Sequence, residues 1–349
     1  MLNQKKWRVV CYVNQFFGQI GGEDKAGEGF CVQKKPVGPA VLFQNLLKDE
    51  CEVVGTVICG DNYFAENIEA AVKEGVELVK QLKPDLFIAG PAYNAGRYGI
   101  SCGNMVSAVG KELGIPTVTG MYPENPAADL FRKDTYIIKT DILSSSLRKY
   151  APVMAGIGLR LLKGEPIKGA DQEGYMIRDI ILNEEQPKNA AERALEMLMK
   201  KIKGEPFVSE LLPPKFDVVE AAEPAPDLKS MRLALVSDGG LIPESNPDKL
   251  KPNGSTTVGV YNWDHLMSEK HFVIHSGYDG TWVLENPYRL FPVDILREKQ
   301  EKGELGYLDP EVYVACGNCA SVAASRAKGE RIANSLKKKQ ISAAILTST

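Results

Sequence analysis

Long apolar runs, a dominant charge of one sign and paired histidines are all missing from this chain, and each absence removes a class of function. No apolar stretch in its 349 residues approaches the roughly 20 a helix needs to cross a bilayer. The start, Met1-Leu2-Asn3-Gln4-Lys5-Lys6, carries no apolar leader and runs straight into a strand pattern, so a cytoplasmic location is expected, with no membrane partner. A formal net charge of −3 favours neither nucleic acid nor an acidic lipid surface. Only three histidines occur, His265, His271 and His275. The last two fall in a strand-like stretch, where residues four apart share a face but stand too far apart for one metal ion. No metal is therefore expected. The seven cysteines (Cys11, Cys31, Cys51, Cys59, Cys102, Cys316 and Cys319) are expected as thiols, because nothing marks the chain for secretion.

What is present suits a globular protein with a sizeable core: 44% of residues are apolar and 25% charged. Strand and helix patterns alternate from Trp7 to about residue 150. The spacing predicts strands at 7–13, 52–58, 85–89, 117–119 and 135–139. Helices are predicted at 38–47, 64–82 and 103–113, the second with Ile68, Val72, Val76 and Val79 on one face. Such an order predicts a parallel sheet covered on both sides. Residues 151–228 then supply a helical connection (helices 145–162 and 190–202) and a linker marked by Pro213, Pro214, Pro224 and Pro226. A second α/β segment, 229–349, opens with a strand at 231–236. It turns loop-rich from 243 to 306 around one clear helix near 293–302, and closes with strand 311–315, helix 318–339 and a terminal strand. The expected fold class is α/β, two doubly wound parallel-sheet domains at 1–150 and 229–349, the second incomplete at its C-terminus.

Several spots carry candidate chemistry. The stretch Gly90 to Gly99 follows a strand and precedes a helix, so its amides suit an anion such as a carboxylate, with Arg97 as a bidentate partner. It lacks the G-x-G-x-x-G dinucleotide spacing, and a plain turn that needs glycine is the competing explanation. Cys59 ends a strand, and Cys102 lies near a helix start that lowers a thiol pKa; each is either a nucleophile or a small buried apolar residue. Cys316-Gly317-Asn318-Cys319 at a strand-to-helix junction suits a redox dithiol, with Asn318 as N-cap, or two packed thiols. A zinc site is disfavoured without a second C-x-x-C. Tyr261, Trp263, Tyr278 and Trp282 form an aromatic loop that would enclose an alkylated ammonium, or merely pack the loop. The basic last helix, Lys328 included, is read as a solvated face.

Longer motifs go further. Phe16-Phe17 with Gly21-Gly22-Glu23-Asp24-Lys25-Ala26, Thr56-Val57-Ile58-Cys59-Gly60-Asp61, and the run from Phe87 to Gly99 (Phe87-Ile88-Ala89-Gly90-Pro91-Ala92-Tyr93-Asn94-Ala95-Gly96-Arg97-Tyr98-Gly99) resemble the selenoprotein B (gamma) subunit of glycine, sarcosine and betaine reductases. So do Val118-Thr119-Gly120-Met121-Tyr122, Gly277-Tyr278-Asp279, Pro292-Val293-Asp294-Ile295-Leu296-Arg297 and Ala344-Ile345-Leu346-Thr347-Ser348-Thr349. The resemblance implies a cytoplasmic oxidoreductase of amino-acid fermentation that reductively cleaves the C–N bond alpha to a carboxylate. It implies a selenocysteine immediately after Thr349, so the chain is expected to be a fragment cut just before its nucleophile. No cofactor is expected on this chain itself. The implied partners are component B subunits carrying a pyruvoyl group, selenoprotein A, which receives a carboxymethyl group, and indirectly component C, which yields acetyl phosphate. Site residues follow from the two lines together: Cys316, Cys319, Cys59, Thr347, Ser348 and Thr349 for chemistry, and Asn94, Gly96, Arg97, Tyr98 and Tyr278 for a small amino-acid substrate. Cys316 and Cys319 depart from the family pattern, where a Val-Gly-Asn-Gly-like stretch is expected. Two further hypotheses stand beside this one: a cofactor-independent racemase with Cys59 and Cys316 facing across a cleft, and a small-carboxylate binding module.

Overall fold

The computed structural model describes residues 6–178, 187–209, 219–224 and 227–349. Most of the proline-rich linker, with Pro213, Pro214 and Pro226, lies outside the described residues. The first half contains strands β1 (Trp7–Asn14), β2 (Cys31–Gln33), β3 (Cys51–Cys59), β4 (Leu86–Tyr93), β5 (Thr117–Met121) and β6 (Tyr136–Lys139). Its helices are α1 (Pro39–Leu47), α2 (Asp61–Glu66), α3 (Ile68–Gln81), α4 (Gly96–Leu113), α5 (Pro126–Phe131), α6 (Leu147–Lys163) and the short α7 (Ala170–Glu173). The strands form one sheet in the order β2-β3-β1-β4-β5-β6. All neighbours run parallel except β2, which pairs antiparallel with β3, so the sheet is mixed rather than purely parallel.

Alternation along each strand sorts its side chains to two faces. Val10, Tyr12, Phe87 and Ala89 pack with Val76, Val79, Met105 and Val109 from α3 and α4. Val9, Cys11, Leu86 and Ile88 pack instead with Phe43, Ala151, Met154 and Ile157 from α1 and α6. A fully buried side chain of this size contributes about 1.5–3 kcal/mol by leaving water. The single helix expected at 64–82 is broken at Asn67, whose backbone leaves the helical region (φ −131°, ψ 35°). The break turns α3 so that Ala71, Gly75, Val76 and Val79 face inward, while Ile68 is 40% exposed.

The later strands are β7 (Arg232–Ser237), β8 (Leu241–Pro243), β9 (Gly259–Asn262), β10 (His271–Val273), β11 (Tyr307–Val314) and β12 (Ala343–Thr347). Between them lie α9 (Trp263–Ser268), α10 (Thr281–Glu285), α11 (Val293–Glu301) and α12 (Val322–Lys338), after α8 (Ala190–Lys203) earlier in the chain. A second mixed sheet has the order β12-β7-β11-β9, with β9 antiparallel to β11, and β8 pairs with β10. The region 243–306 is thus more structured than its sequence suggests; its elements are too short to show periodicity. Both sheets belong to one compact unit, residues up to 178 and from 227 onward; residues 179–226, with α8, form another. Helix α8 starts in a capping box made by Asn189 and Glu192.

Candidate functional site

Strand ends of the first sheet and loops of the second half line one cleft of about 650 Å³. From the first sheet come Asn14 at the end of β1 and Gln15 after it, Asp61 after β3, and Tyr93, Ala95, Gly96, Arg97 and Tyr98 at the β4–α4 junction. The second half contributes Asn253, His275, Gly277, Tyr278, Asn318 and Cys319, among others. Such convergence is where open α/β sheets place ligands.

The β4–α4 junction is not the loop expected from its glycines. Strand β4 continues to Tyr93 and helix α4 already starts at Gly96, so Gly96, Arg97 and Tyr98 occupy its first turn. Packing explains the early start: a side chain at Gly99 would meet the Asn125 amide at 2.2 Å, and one at Gly103 the Phe131 ring at 2.1 Å. Asn125 is 2% exposed and fixes the junction from outside the helix. Its Nδ2 donates to the carbonyls of Tyr93 (2.9 Å) and Ala95 (3.1 Å), and its Oδ1 accepts from Ala127 N (3.0 Å) as the N-cap of α5. Helix α4 has no side-chain cap, so its first amides are open to an anion.

Arg97 is already engaged. One of its terminal nitrogens donates to both oxygens of Glu23 and to the carbonyl of Gly277, each at 2.9 Å, and the other donates to Asn62 Oδ1. The guanidinium therefore ties the two halves of the cleft together. Nearby, Asp61 is only 6% exposed. Its Oδ2 accepts from Asn14 Nδ2 (2.8 Å) and its backbone N–H donates to Gln15 Oε1 (3.0 Å), while Oδ1 is buried without a partner. Burial pushes this carboxyl up to about 6, opposed by the bond from Asn14 and the charge of Arg97. Asp61 was legible only as part of a motif; one carboxylate among many gives no sign of burial.

Around the tips of the second sheet sits another cluster. Ser348 Oγ donates to Asp238 Oδ2 (3.1 Å), Tyr278 OH donates to the Gly239 carbonyl (2.8 Å), and Thr349 packs against Gly239. Thr347 Oγ1 donates to the Val236 carbonyl at 3.4 Å. Asp238 Oδ1 is buried without a partner. Lys328, expected in solvent, is 5% exposed and donates to the Cys316 carbonyl at 2.9 Å. The reason is register: α12 turns this one lysine toward the sheet. Burial holds its ammonium below the usual lysine range, partly offset by Cys316 and Asp238. His275 is likewise held down by burial, and its Nδ1 accepts from Gly277 N at 3.0 Å, so a neutral ring carries its proton on Nε2.

The candidate residues separate accordingly. Gly96, Arg97, Tyr98, Tyr278 and Cys319 line the cleft; Asn94, Cys59, Cys316, Thr347, Ser348 and Thr349 are not part of its lining. Cys59 is fully buried with its thiol against the Gly60 carbonyl, and burial pushes its pKa up. Cys59 and Cys316 do not face each other across the cleft. Cys102 is also fully buried, on the second turn of α4; burial outweighs the helix dipole and raises its pKa instead of lowering it. Cys316 and Cys319 are free thiols, both raised by burial, Cys319 to about 11. Helix α12 begins at Val322 with Ser321 as its N-cap, so Asn318 caps nothing and Cys316 lies well before the helix. Trp263 is 1% exposed against Tyr288 and Phe291, Trp282 is 62% exposed and stacks on Arg289, and neither they nor Tyr261 line the cleft. The aromatic loop thus gives no support to an N-methylated substrate. Among the described residues no three His, Cys, Asp or Glu side chains are grouped to hold a metal, and no helix is long and apolar enough to cross a membrane.

The profile of the glycine/sarcosine/betaine reductase selenoprotein B family matches residues 6–349. The glycine reductase complex component B subunit gamma of Carboxydothermus hydrogenoformans is 46% identical over 347 residues, 99% of this chain and 80% of that protein. The sarcosine reductase complex component B subunit beta of Peptoclostridium acidaminophilum is 39% identical, over 99% of this chain and 80% of its own length. The betaine reductase complex component B subunit beta of the same organism is 34% identical, over 98% and 79% respectively. No solved structure matches. On a full-length match of this strength, the chain belongs to the glycine/sarcosine/betaine reductase selenoprotein B family.

Proposed function

We propose that this chain is the substrate-specific subunit of a cytoplasmic amino-acid reductase that cleaves the C–N bond alpha to the carboxylate of glycine, sarcosine or betaine. The observation that carries the proposal is the cleft itself, where strand ends of the first sheet meet loops of the second half, together with relatives named for glycine, sarcosine and betaine reductase. In this reading the substrate carboxylate rests on the open first turn of α4, at the amides of Gly96, Arg97 and Tyr98. Arg97 adds positive charge there while remaining paired with Glu23. Tyr278 bounds the substrate from the other half, while Asn94, outside the lining, takes no part.

The tip of β12 is the place for the nucleophile, which we assign to a selenocysteine after Thr349. A selenol there supplies a soft nucleophile, ionised at neutral pH, for the substrate's methylene carbon. One neighbour fits such an anion: Lys328 brings a buried ammonium to the end of the second sheet. Lys328 favours negative charge at the strand ends, and Tyr278 holds the Gly239 backbone against Thr349. Cys316, whose backbone bridges Gly239, and Cys319 are read as a resolving thiol pair. The carboxymethyl group passes to selenoprotein A, component C acts after it, and a pyruvoyl group on partner subunits of component B activates primary and secondary amines. We further read 1–150 and 229–349 as the two sheet-bearing parts of the chain, with α6 packed on the first sheet rather than serving as a connection.

Reconstitution tests the proposal. The selenocysteine-containing gene product is combined with partner component B subunits, selenoprotein A, component C and a dithiol reductant, and acetyl phosphate is measured. One of glycine, sarcosine and betaine should yield acetyl phosphate; if all three fail, the proposal is wrong.

A further inference from the structure

We propose that Asp61 receives the amine end of the substrate, so that the first half of the cleft holds both charged ends of a small zwitterion. The inference rests on the function proposed above and adds a recognition residue to it. Among the charged residues lining the cleft, the carboxylates Glu23, Asp24, Asp61 and Asp279 face the single guanidinium of Arg97. The others are already engaged: both oxygens of Glu23 lie on Arg97, Asp24 accepts from Gly22 N–H, and Asp279 accepts from Thr281. Asp61 alone among them has a buried oxygen with no partner. Leaving a buried carboxylate oxygen unpaired is costly, and a ligand ammonium removes that cost.

The surroundings favour a cation at this point. The titratable and charged groups facing Asp61 are Glu23 in the loop after β1, Tyr12 on β1, Cys59 on β3, and Arg97, Tyr98 and Cys102 on α4. Burial keeps both phenols and both thiols neutral at physiological pH. Tyr98, which lines the cleft, and Tyr12 behind it also have buried hydroxyls without a partner.

Titration calorimetry on the chain and on its Asp61→Asn variant, with glycine, sarcosine, betaine and acetate as probes, tests this. The variant should bind the amine-bearing substrate about tenfold or more weakly, the scale of one lost charge-assisted contact. Acetate, which has no amine, should bind the variant as well as the wild type or better. The wild type should also lose about tenfold in affinity for the amine-bearing substrate between pH 7 and pH 5, as a carboxyl near 6 takes up its proton, while the variant stays flat. Equal losses for substrate and acetate would mean that Asp61 only shapes the pocket; no loss for either would mean that a water satisfies Oδ1. Both results overturn the inference and leave the proposed function standing. Failure of glycine, sarcosine and betaine alike to bind the wild type would overturn the proposed function and this inference with it.

Discussion

Single residues decide what the cleft can do, mainly through burial. The folded carboxyl of Asp61, near 6, lies above the ordinary aspartate value of 3.8, so the folded chain binds a proton more tightly than the unfolded one. Stability is therefore full below about pH 4, falls as pH rises through 6, and stays lower above it. The Asp61→Asn variant lacks that dependence. Its melting temperature should fall less than the wild type's between pH 5 and pH 7.5, with a difference in stability on the order of 1.5 kcal/mol, measurable by scanning calorimetry. Thiols follow the same logic. Brief labelling with iodoacetamide at pH 7.5, read by peptide mass spectrometry, should modify the half-buried Cys31 and Cys319 before Cys11, Cys59 and Cys102. Residue types at the cleft were legible in the sequence: Gly96, Arg97, Tyr98 and Tyr278 stood out by chemistry and by motif. Whether an oxygen lacks a partner was not legible, because Asp61, Asp238 and Lys328 look like any surface charge until neighbouring elements enclose them.

At the scale of elements, alternation and periodicity located most strands and helices of the first sheet to within a few residues. The failures share one cause, local preference overruled by packing. Glycines at 96, 99 and 103 disfavour a helix start by propensity, yet α4 runs through all three because Asn125 and Phe131 press against it. Asn67 breaks a run whose apolar spacing is continuous. The Asn125 side chain, with three hydrogen bonds to backbone, holds the strand end and the helix start in one place. Asn125→Ala should cost roughly 2–4 kcal/mol in denaturant unfolding, and Asn125→Asp should not restore the loss, since a carboxylate cannot donate to Tyr93 and Ala95. Gly99→Ala should be comparably damaging, by displacing that amide.

Across the whole molecule, hydrogen bonds that join the halves forming the cleft include, among the described residues, Arg97 to the Gly277 carbonyl and the Val322 N–H to Glu124 Oε2 at 3.0 Å. Glu23 holds Arg97 in the pose that reaches Gly277. In Glu23→Gln, hydrogen exchange at 275–280 should speed up by roughly fivefold, the equivalent of about 1 kcal/mol for a partly exposed pair. Unchanged exchange would show that Glu124 suffices to hold the halves together. Family membership was legible because its motifs are long and spread along the chain. The meeting of first-sheet strand ends with loops of the second half was not, because no periodicity records which segments face each other.

The shared polarity of the parallel strands has a practical consequence. Turns near Lys48, Lys83 and Gly114 sit at the opposite ends of β3, β4 and β5, about 15–30 Å of extended backbone from the cleft. Fluorophores or affinity handles attached there would report on ligand arrival from behind, leaving the mouth of the cleft open to whatever macromolecule must reach it.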